Sequence, residues 1–315
     1  MDGPAGAARL MERVSAMGVA IQPRTIRFYF RQLDSEGLTQ FISRRQGRVI
    51  TDRGREELTH ANVFEKVGFV AAKVDNLGYQ MTFSNRKGRG TIITNTALLD
   101  RRVLPLALRE MAPVFAAGYS MGTKLALAEG RQKLGELVVP DGHVALGTVC
   151  SVTINGIMLD EGIPVTSRFG GLIEMRDGKP LRFVELIEYA GTTVDPLEAF
   201  IKADMTRVRD CARTGSGIIG ASFREIPSAA VSEVARIEKD MTARGLGGVL
   251  LLGKPSRPLL DVPVAEGRTG MIIVGGLNPL AAVHEAGVRL SMFSLAGLED
   301  YGAFVDYKEI HKQYA

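Results

Sequence analysis

Arg24, Thr25, Arg27, Phe28 and Arg31 fall within eight positions of one another. At 100° per residue a helix from about Pro23 to Glu36 puts Arg24, Arg27, Phe28, Arg31 and Ser35 on one side. Ile26, Tyr29, Phe30 and Leu33 fall on the other. A guanidinium is a planar fork that pairs with phosphate oxygens or a guanine edge, and an aromatic among such forks can meet a thymine methyl or a sugar. Arg44, Arg45 and Arg48 follow at the tip of the segment Phe41–Ile50, where the same chemistry would meet phosphate. The plainer alternative is a solvated arginine face, with Phe28 packed on a neighbour.

Other motifs suggest catalysis and do not sustain it. Gly215-Ser216-Gly217-Ile218-Ile219-Gly220 spells a dinucleotide fingerprint. Its third glycine should open a helix, whereas Ala221 to Pro227 reads as more strand. Gly248 to Lys254 approximates a phosphate loop, but Pro255 stands where a magnesium-binding Ser or Thr belongs, and Val249 to Leu252 reads as a buried strand. His60, His143, His284 and His311 have no metal spacing; His284 and Glu285 read as a helix surface pair. Cys150 and Cys211 form no spaced motif and fit a reducing cytoplasm. The expectation is no catalytic residue, no metal and no cofactor. No signal peptide or membrane-spanning apolar run is visible.

The elements that must position the arginines follow from the local pattern. Residues 7–17 form a short helix stopped by Gly18. Pro23 opens the second helix, and Gly37 suits its left-handed end. Phe41 to Ile50 reads as a basic hairpin, and Thr51-Asp52 opens another short helix ending near His60. Helix, turn, arginine-faced helix and basic hairpin make a winged helix-turn-helix over residues 1–61, with the reading helix sized for a major groove roughly 12 Å wide. A winged helix normally has another helix before the pair, and here only Met1 to Gly6 precede it, so either the start is truncated or another segment is expected to fill that place. The first 60 residues hold ten of the 39 basic and seven of the 35 acidic residues, so the charge excess is concentrated there and an anionic partner is expected for this module alone.

Residues 62–315 read as a duplicated body, with copies at about 62–190 and 191–300. Gly90, an apolar run, a helix and Gly118 are matched by Gly217, an apolar run, a helix and Gly245, both spanning 28 positions. Pro164-Val165 before Gly171 is matched at equal spacing by Pro263-Val264 before Gly270. Asn155-Gly156 and Asp177-Gly178 read as hairpin turns. Strands dominate, so the fold class is α+β: a winged helix-turn-helix followed by an internally duplicated, mostly antiparallel effector domain.

Several stretches resemble the effector domain of the NrpR family, global nitrogen repressors of methanogenic archaea with relatives in bacteria. They are Gly147-Thr148-Val149, Asn155-Gly156-Ile157, Gly162 to Gly171, Arg182-Phe183 with Glu188-Tyr189, Ala221 to Pro227 and Gly275 to Pro279. Arg24 to Arg27 and Leu33 to Leu38 resemble the family's winged helix. The resemblance implies a dimeric, non-enzymatic repressor on a double-stranded, palindromic operator, released by the dicarboxylate 2-oxoglutarate as allosteric effector. Such a ligand needs an arginine fork, hydroxyls and backbone N–H groups. Thr166, Ser167 and Arg168 offer these, with Arg268 in the second copy and Asn278 beside Gly275-Gly276. A sensing subunit that binds DNA only through a partner is one alternative; an enzyme using the glycine-rich segments is another.

Overall fold

The computed structural model describes residues 4–16, 23–43, 45–55 and 69–314. The chain divides into two compact units, Met1–Gly68 and Phe69–Ala315.

In the first unit, α1 (Ala7–Ala16) and α2 (Pro23–Ser35) pack together, and β1 (Thr39–Ser43) pairs antiparallel with β2 (Gly47–Ile50). Ala5 adds a third rung, exchanging backbone hydrogen bonds of 2.9 and 3.0 Å with Arg48. Gly47 is required there: its φ is +92°, and a Cβ would collide with the Ala5 carbonyl. Ile26 and Phe30 are buried, as the helical periodicity predicts. A short helical turn follows at residues 52–55, and the rest of the helix expected toward His60 lies outside the described residues.

The second unit holds two five-stranded antiparallel sheets. Copy one runs α3 (Val70–Gln80), β3 (Thr91–Asp100), α4 (Leu104–Ala116), β4 (Lys124–Glu129), the small hairpin β5 (Lys133–Leu134) and β6 (Leu137–Val138), β7 (His143–Val149), α5 (Thr153–Asp160), β8 (Thr166–Arg176) and β9 (Lys179–Glu188). Copy two runs α6 (Pro196–Lys202), α7 (Val208–Thr214), β10 (Gly217–Pro227), α8 (Val231–Ala243), β11 (Val249–Leu252), β12 (Arg268–Val274), α9 (Asn278–Glu285), β13 (Ser291–Asp300), β14 (Val305–Asp306) and α10 (Tyr307–Tyr314).

The strand orders are β11-β12-β10-β8-β9 and β13-β3-β7-β4-β14. The order β4-β7-β3 in copy one thus repeats as β11-β12-β10 in copy two. Gly118 and Gly245 end the equivalent helices α4 and α8 with φ of +74° and +72°. Backbone bonds repeat as well. Arg101 N–H donates to Gly142 at 3.0 Å and Ser228 N–H to Gly267 at 2.9 Å; Cys150 N–H donates to Ile93 and Gly275 N–H to Gly220, at 2.8 and 2.7 Å.

The copies exchange their last strands. β8 of copy one pairs with β10 of copy two, and β13 of copy two pairs with β3 of copy one. One continuous apolar core therefore draws on both copies, including Ile92, Leu146, Ile219 and Ile272. Helices α4, α7, α9 and α10 pack on one another beside the sheets.

Three expectations need correction. β8, which carries Gly171, is equivalent to β13, while β12, which carries Gly270, is equivalent to β7; the Pro164/Pro263 match is therefore coincidental. Asn155-Gly156 lies inside α5 and makes no hairpin, because the two residues follow the helix start at Thr153. β11 is a half-buried edge strand and not a core strand. Asp177-Gly178 does turn the β8–β9 hairpin, with both φ values positive, at +50° and +74°.

Candidate functional site

In the first unit, Arg24, Thr25, Arg27 and Arg31 are all exposed along α2, opposite buried Ile26 and Phe30. Neither the Phe28 side chain nor Arg44 is among the described groups. Arg45 is exposed in the hairpin turn. Arg48, expected to meet phosphate, also makes contacts within the unit. Its guanidinium pairs with Asp34 at 2.6 Å, is only 19% exposed, and stacks on Phe30 and Phe41 at 4.9 and 5.1 Å. It therefore ties the hairpin to α2 through its Nε.

In the second unit, Thr166, Arg168 and Arg268 do converge, but around an acid. Glu225 is 3% exposed. It accepts from Arg168 at 2.7 Å and lies 3.9 Å from the Arg268 guanidinium. Arg268 also donates to Thr166 Oγ1 and to the Glu225 carbonyl, at 2.9 and 2.8 Å. Arg168 and Arg268 thus share the buried acid Glu225, and a carboxylate ligand reaching them would compete with it.

Asn278 bonds to backbone groups. It is 1% exposed. Its Oδ1 accepts from Gly220 N–H at 2.9 Å, and its Nδ2 donates to the Gly220 and Tyr119 carbonyls at 2.9 and 3.0 Å. Thr153 makes the equivalent clamp in copy one. Its hydroxyl accepts from Ile93 N–H at 3.2 Å and donates to the Ile93 carbonyl at 3.1 Å.

Ser167 belongs to a different group. Its hydroxyl accepts from Asn155 Nδ2 at 3.0 Å. Asn155 Oδ1 in turn accepts from Arg224, which also donates to the Ser151 carbonyl and hydroxyl at 2.8 and 3.0 Å. Arg224 is fully buried, and desolvation pulls its guanidinium down from the ordinary range. Ser151 also lines a small cavity with room for about one water, together with Asn95, Cys150, Tyr189, Asp195 and Gly276. Burial raises Asp195 to about 6 and the Cys150 thiol to about 12.

Sequence reasoning does not single out Arg224, Asn155 or Glu225. β10 is buried along nearly its whole length, so the in–out alternation that would flag an inward arginine is absent. The usable signal is that Asn155 and Arg224 both sit in stretches shared with a known family.

An arginine-faced winged unit and a duplicated α+β body in one chain define a transcription regulator with a separate regulatory part. Among the described residues, no group of His, Cys, Asp or Glu is placed to hold a metal ion, and no helix is long and apolar enough to cross a membrane.

Comparison with known proteins agrees. The model of the NrpR regulatory domains NRD1 and 2 matches residues 67–306, and a ribonuclease R winged-helix model matches residues 1–58. The global nitrogen regulator NrpRI of Methanosarcina mazei is 31% identical over 300 residues, which cover 95% of this chain and 92% of that protein. The global nitrogen regulator NrpR of Methanococcus maripaludis is 30% identical over 95% of this chain and 52% of its own length. A crystallised nitrogen repressor-like protein from Methanococcus jannaschii superposes with a TM-score of 0.65 at 22% identity, over 76% of this chain and 98% of that one, which shows the shared fold. The chain belongs to the NrpR family of transcriptional regulators, which are not enzymes.

Proposed function

We propose that this chain is an effector-responsive repressor of nitrogen-assimilation genes. It acts in the cytoplasm as a homodimer on a palindromic double-stranded operator, and 2-oxoglutarate releases it. Residues 1–61 read the DNA and residues 62–315 sense the effector. The observation that carries the DNA half is the α2 face, where Arg24, Thr25, Arg27 and Arg31 are exposed while Ile26 and Phe30 hold the helix in its unit. Exposed forks on one helix face are what base and phosphate contact requires. A dimer fits because half-sites roughly 34–36 Å apart multiply specificity. The effector half draws its support from relatives described as global nitrogen regulators.

The test is fluorescence anisotropy of the full chain on fragments of its own nitrogen-assimilation promoters, with and without 2-oxoglutarate. Arg27→Ala should cost about 1–3 kcal/mol in specific binding. The effector should weaken operator binding roughly 5–150-fold. Unchanged affinity after replacing Arg24, Arg27 and Arg31 together would remove α2 as the reader. Effector binding by a chain that never binds DNA would instead favour a sensing subunit.

A further inference from the structure

We infer that the turn Asn85-Arg86-Lys87-Gly88-Arg89, in the regulatory body, is a second contact for the phosphate backbone of DNA; this rests on the proposal that the chain binds double-stranded DNA.

Charge is concentrated in this turn and is barely neutralised. Outside the first 60 residues the chain is nearly balanced, with 29 basic and 28 acidic residues. Three of those 29 stand in this turn, with no acid between Met81 and Gly90. Arg86, Lys87 and Arg89 are all exposed. Arg86 reaches one carboxylate, Glu161 at 3.7 Å, which Arg236 shares at 3.5 Å. Lys87 and Arg89 make no ion pair among the described residues.

Two more cations adjoin the turn. The Arg244 guanidinium lies against Gly88 and donates to the Arg86 carbonyl at 2.9 Å, while its Nε is buried without a partner. The Arg244 carbonyl accepts from the Tyr301 hydroxyl at 2.5 Å, and Lys124 Nζ lies 5.4 Å over the Tyr301 ring. Among the described residues neither Arg244 nor Lys124 is ion-paired.

The turn is also held firmly. Ser84 N–H donates to the Arg89 carbonyl at 3.0 Å, and the Ser84 carbonyl accepts from Lys87 and Gly88 N–H at 3.1 and 2.8 Å. Below it, Thr82 N–H donates to Thr91 Oγ1 and Thr91 N–H to Thr82 Oγ1, at 3.2 and 3.0 Å. Phe83 is buried, with its ring 4.9 Å from that of Tyr301. Gly88 takes a φ of +64°. A tip fixed in this way holds its cations apart before the anion arrives, so little ordering cost falls on binding.

The duplication supplies an internal comparison. Gly88-x-Gly90 matches Gly215-x-Gly217, so Arg86, Lys87 and Arg89 stand where copy two has Arg213, Thr214 and Ser216. Arg213 is bound to Glu110 at 2.5 Å, and the Thr214 and Ser216 hydroxyls bond to nearby backbone. Copy two thus closes this stretch without a free cation, and the fold does not require the three that copy one presents.

The partner follows from the chemistry. Three cations within four positions suit a row of closely spaced charges, and duplex DNA offers one about every 1.7 Å of axis. Arg forks and a Lys point charge both bind phosphate. No apolar side chain stands between Ser84 and Gly90, whereas the centre of a protein interface is apolar and poor in charge. The contact carries no base reading, so it strengthens binding to every sequence alike.

The turn variant replaces Arg86, Lys87 and Arg89 with Gln together. A control replaces Lys133, Lys179 and Lys254, exposed elsewhere on the body, so that both variants lose equal charge. Fluorescence anisotropy of the full chain is followed over a chloride series, on a promoter fragment and on an unrelated duplex of equal length, with a melting curve for each protein. The turn variant should melt as wild type does, bind both duplexes about tenfold or more weakly, and show a salt slope shallower by about two to three. The control should keep its slope to within about one. If the triple variant melts early, Lys87→Gln alone decides, with a slope shallower by about one expected. An unchanged slope in these turn variants, with wild-type binding still lost on replacing Arg24, Arg27 and Arg31, overturns the second contact and leaves α2 as the reader. An equal fall in the control overturns it as well, because net charge then accounts for the effect. If inorganic phosphate at constant ionic strength lowers the wild-type slope to that of the turn variant, the turn holds a free anion and not DNA. Failure of the wild type to bind either duplex overturns both readings.

Discussion

Asn278→Ala separates a structural clamp from a ligand contact. In the folded body the Asn278 side chain satisfies three backbone groups, all buried. After truncation the Gly220 carbonyl keeps one partner, because Gly275 N–H still donates to it at 2.7 Å. The Gly220 N–H and the Tyr119 carbonyl lose theirs. A buried backbone group left unpaired costs about 1–3 kcal/mol, so two of them cost about 2–6 kcal/mol, with a smaller addition for the lost packing. For a body of this size that corresponds to a fall in melting temperature of roughly 5–20 °C. Urea unfolding of the full chain, followed by far-UV circular dichroism, should show a lower midpoint for the body transition at an unchanged slope. Effector affinity, measured well below the transition, should be preserved. The equivalent clamp in copy one gives a milder control: Thr153→Val keeps the shape and removes two hydrogen bonds to Ile93, at about 1–3 kcal/mol. The clamp argument fails if Asn278→Ala unfolds like wild type. Normal stability with lost effector binding would return Asn278 to the ligand site.

Burial holds Asp195 at about 6 in the folded chain against an unfolded value of about 4, so the neutral acid is favoured in the fold. The stability this contributes is present below pH 4 and is lost as pH rises through 6, about 3 kcal/mol in all. Asp195→Asn, which keeps an N-cap for α6, should therefore gain on wild type between pH 4 and 6 in paired thermal melts; a constant difference across that range would refute the assignment. In the winged unit, Arg45→Ala should lower the salt slope of DNA binding by about one, whereas Arg48→Ala should leave the slope unchanged and destabilise the unit, through lost contacts to Asp34, Phe30 and Phe41. Fragments 69–190 and 191–315 should each be unfolded alone by circular dichroism and regain strand signal when mixed, because β8 and β13 each need a partner from the other copy; a fragment that melts cooperatively by itself would contradict the exchange.

Local geometry is the legible part of this sequence. Pro23, Gly37 and the helical phase of Ile26 and Phe30 specify α2, and the Asp177-Gly178 turn specifies the β8–β9 hairpin, because the decisive physics lies within a few residues. The paired 28-position spacing also survives folding, since a strand, a helix and a left-handed glycine are local too. Equal spacing between Pro164 and Gly171 and between Pro263 and Gly270 has no such physics behind it, and those segments occupy different strands. Asn155-Gly156 shows the limit of turn signals: its neighbours Ile154, Ile157 and Met158 are buried by tertiary packing, and that burial outweighs a dipeptide preference.

The exchange of β8 and β13 lies beyond local reading, and it governs what the arginines can do. Phe223 faces Phe169 across the β8–β10 ladder, which then shifts register so that Arg224 faces Ser167 and Glu225 faces Thr166. Adjacent residues of a strand point to opposite faces, so Arg224 meets Asn155 and Ser151 while Glu225 meets Arg168 and Arg268. One acid thereby serves the two arginines on its own face, while the third, on the other face, has no carboxylate partner among the described residues. Sequence proximity alone ranks Arg168 first as a ligand fork. The pairing of β8 with a strand of the other copy adds what proximity cannot give: it brings Glu225 to Arg168, and Ser151 and Asn155 to Arg224.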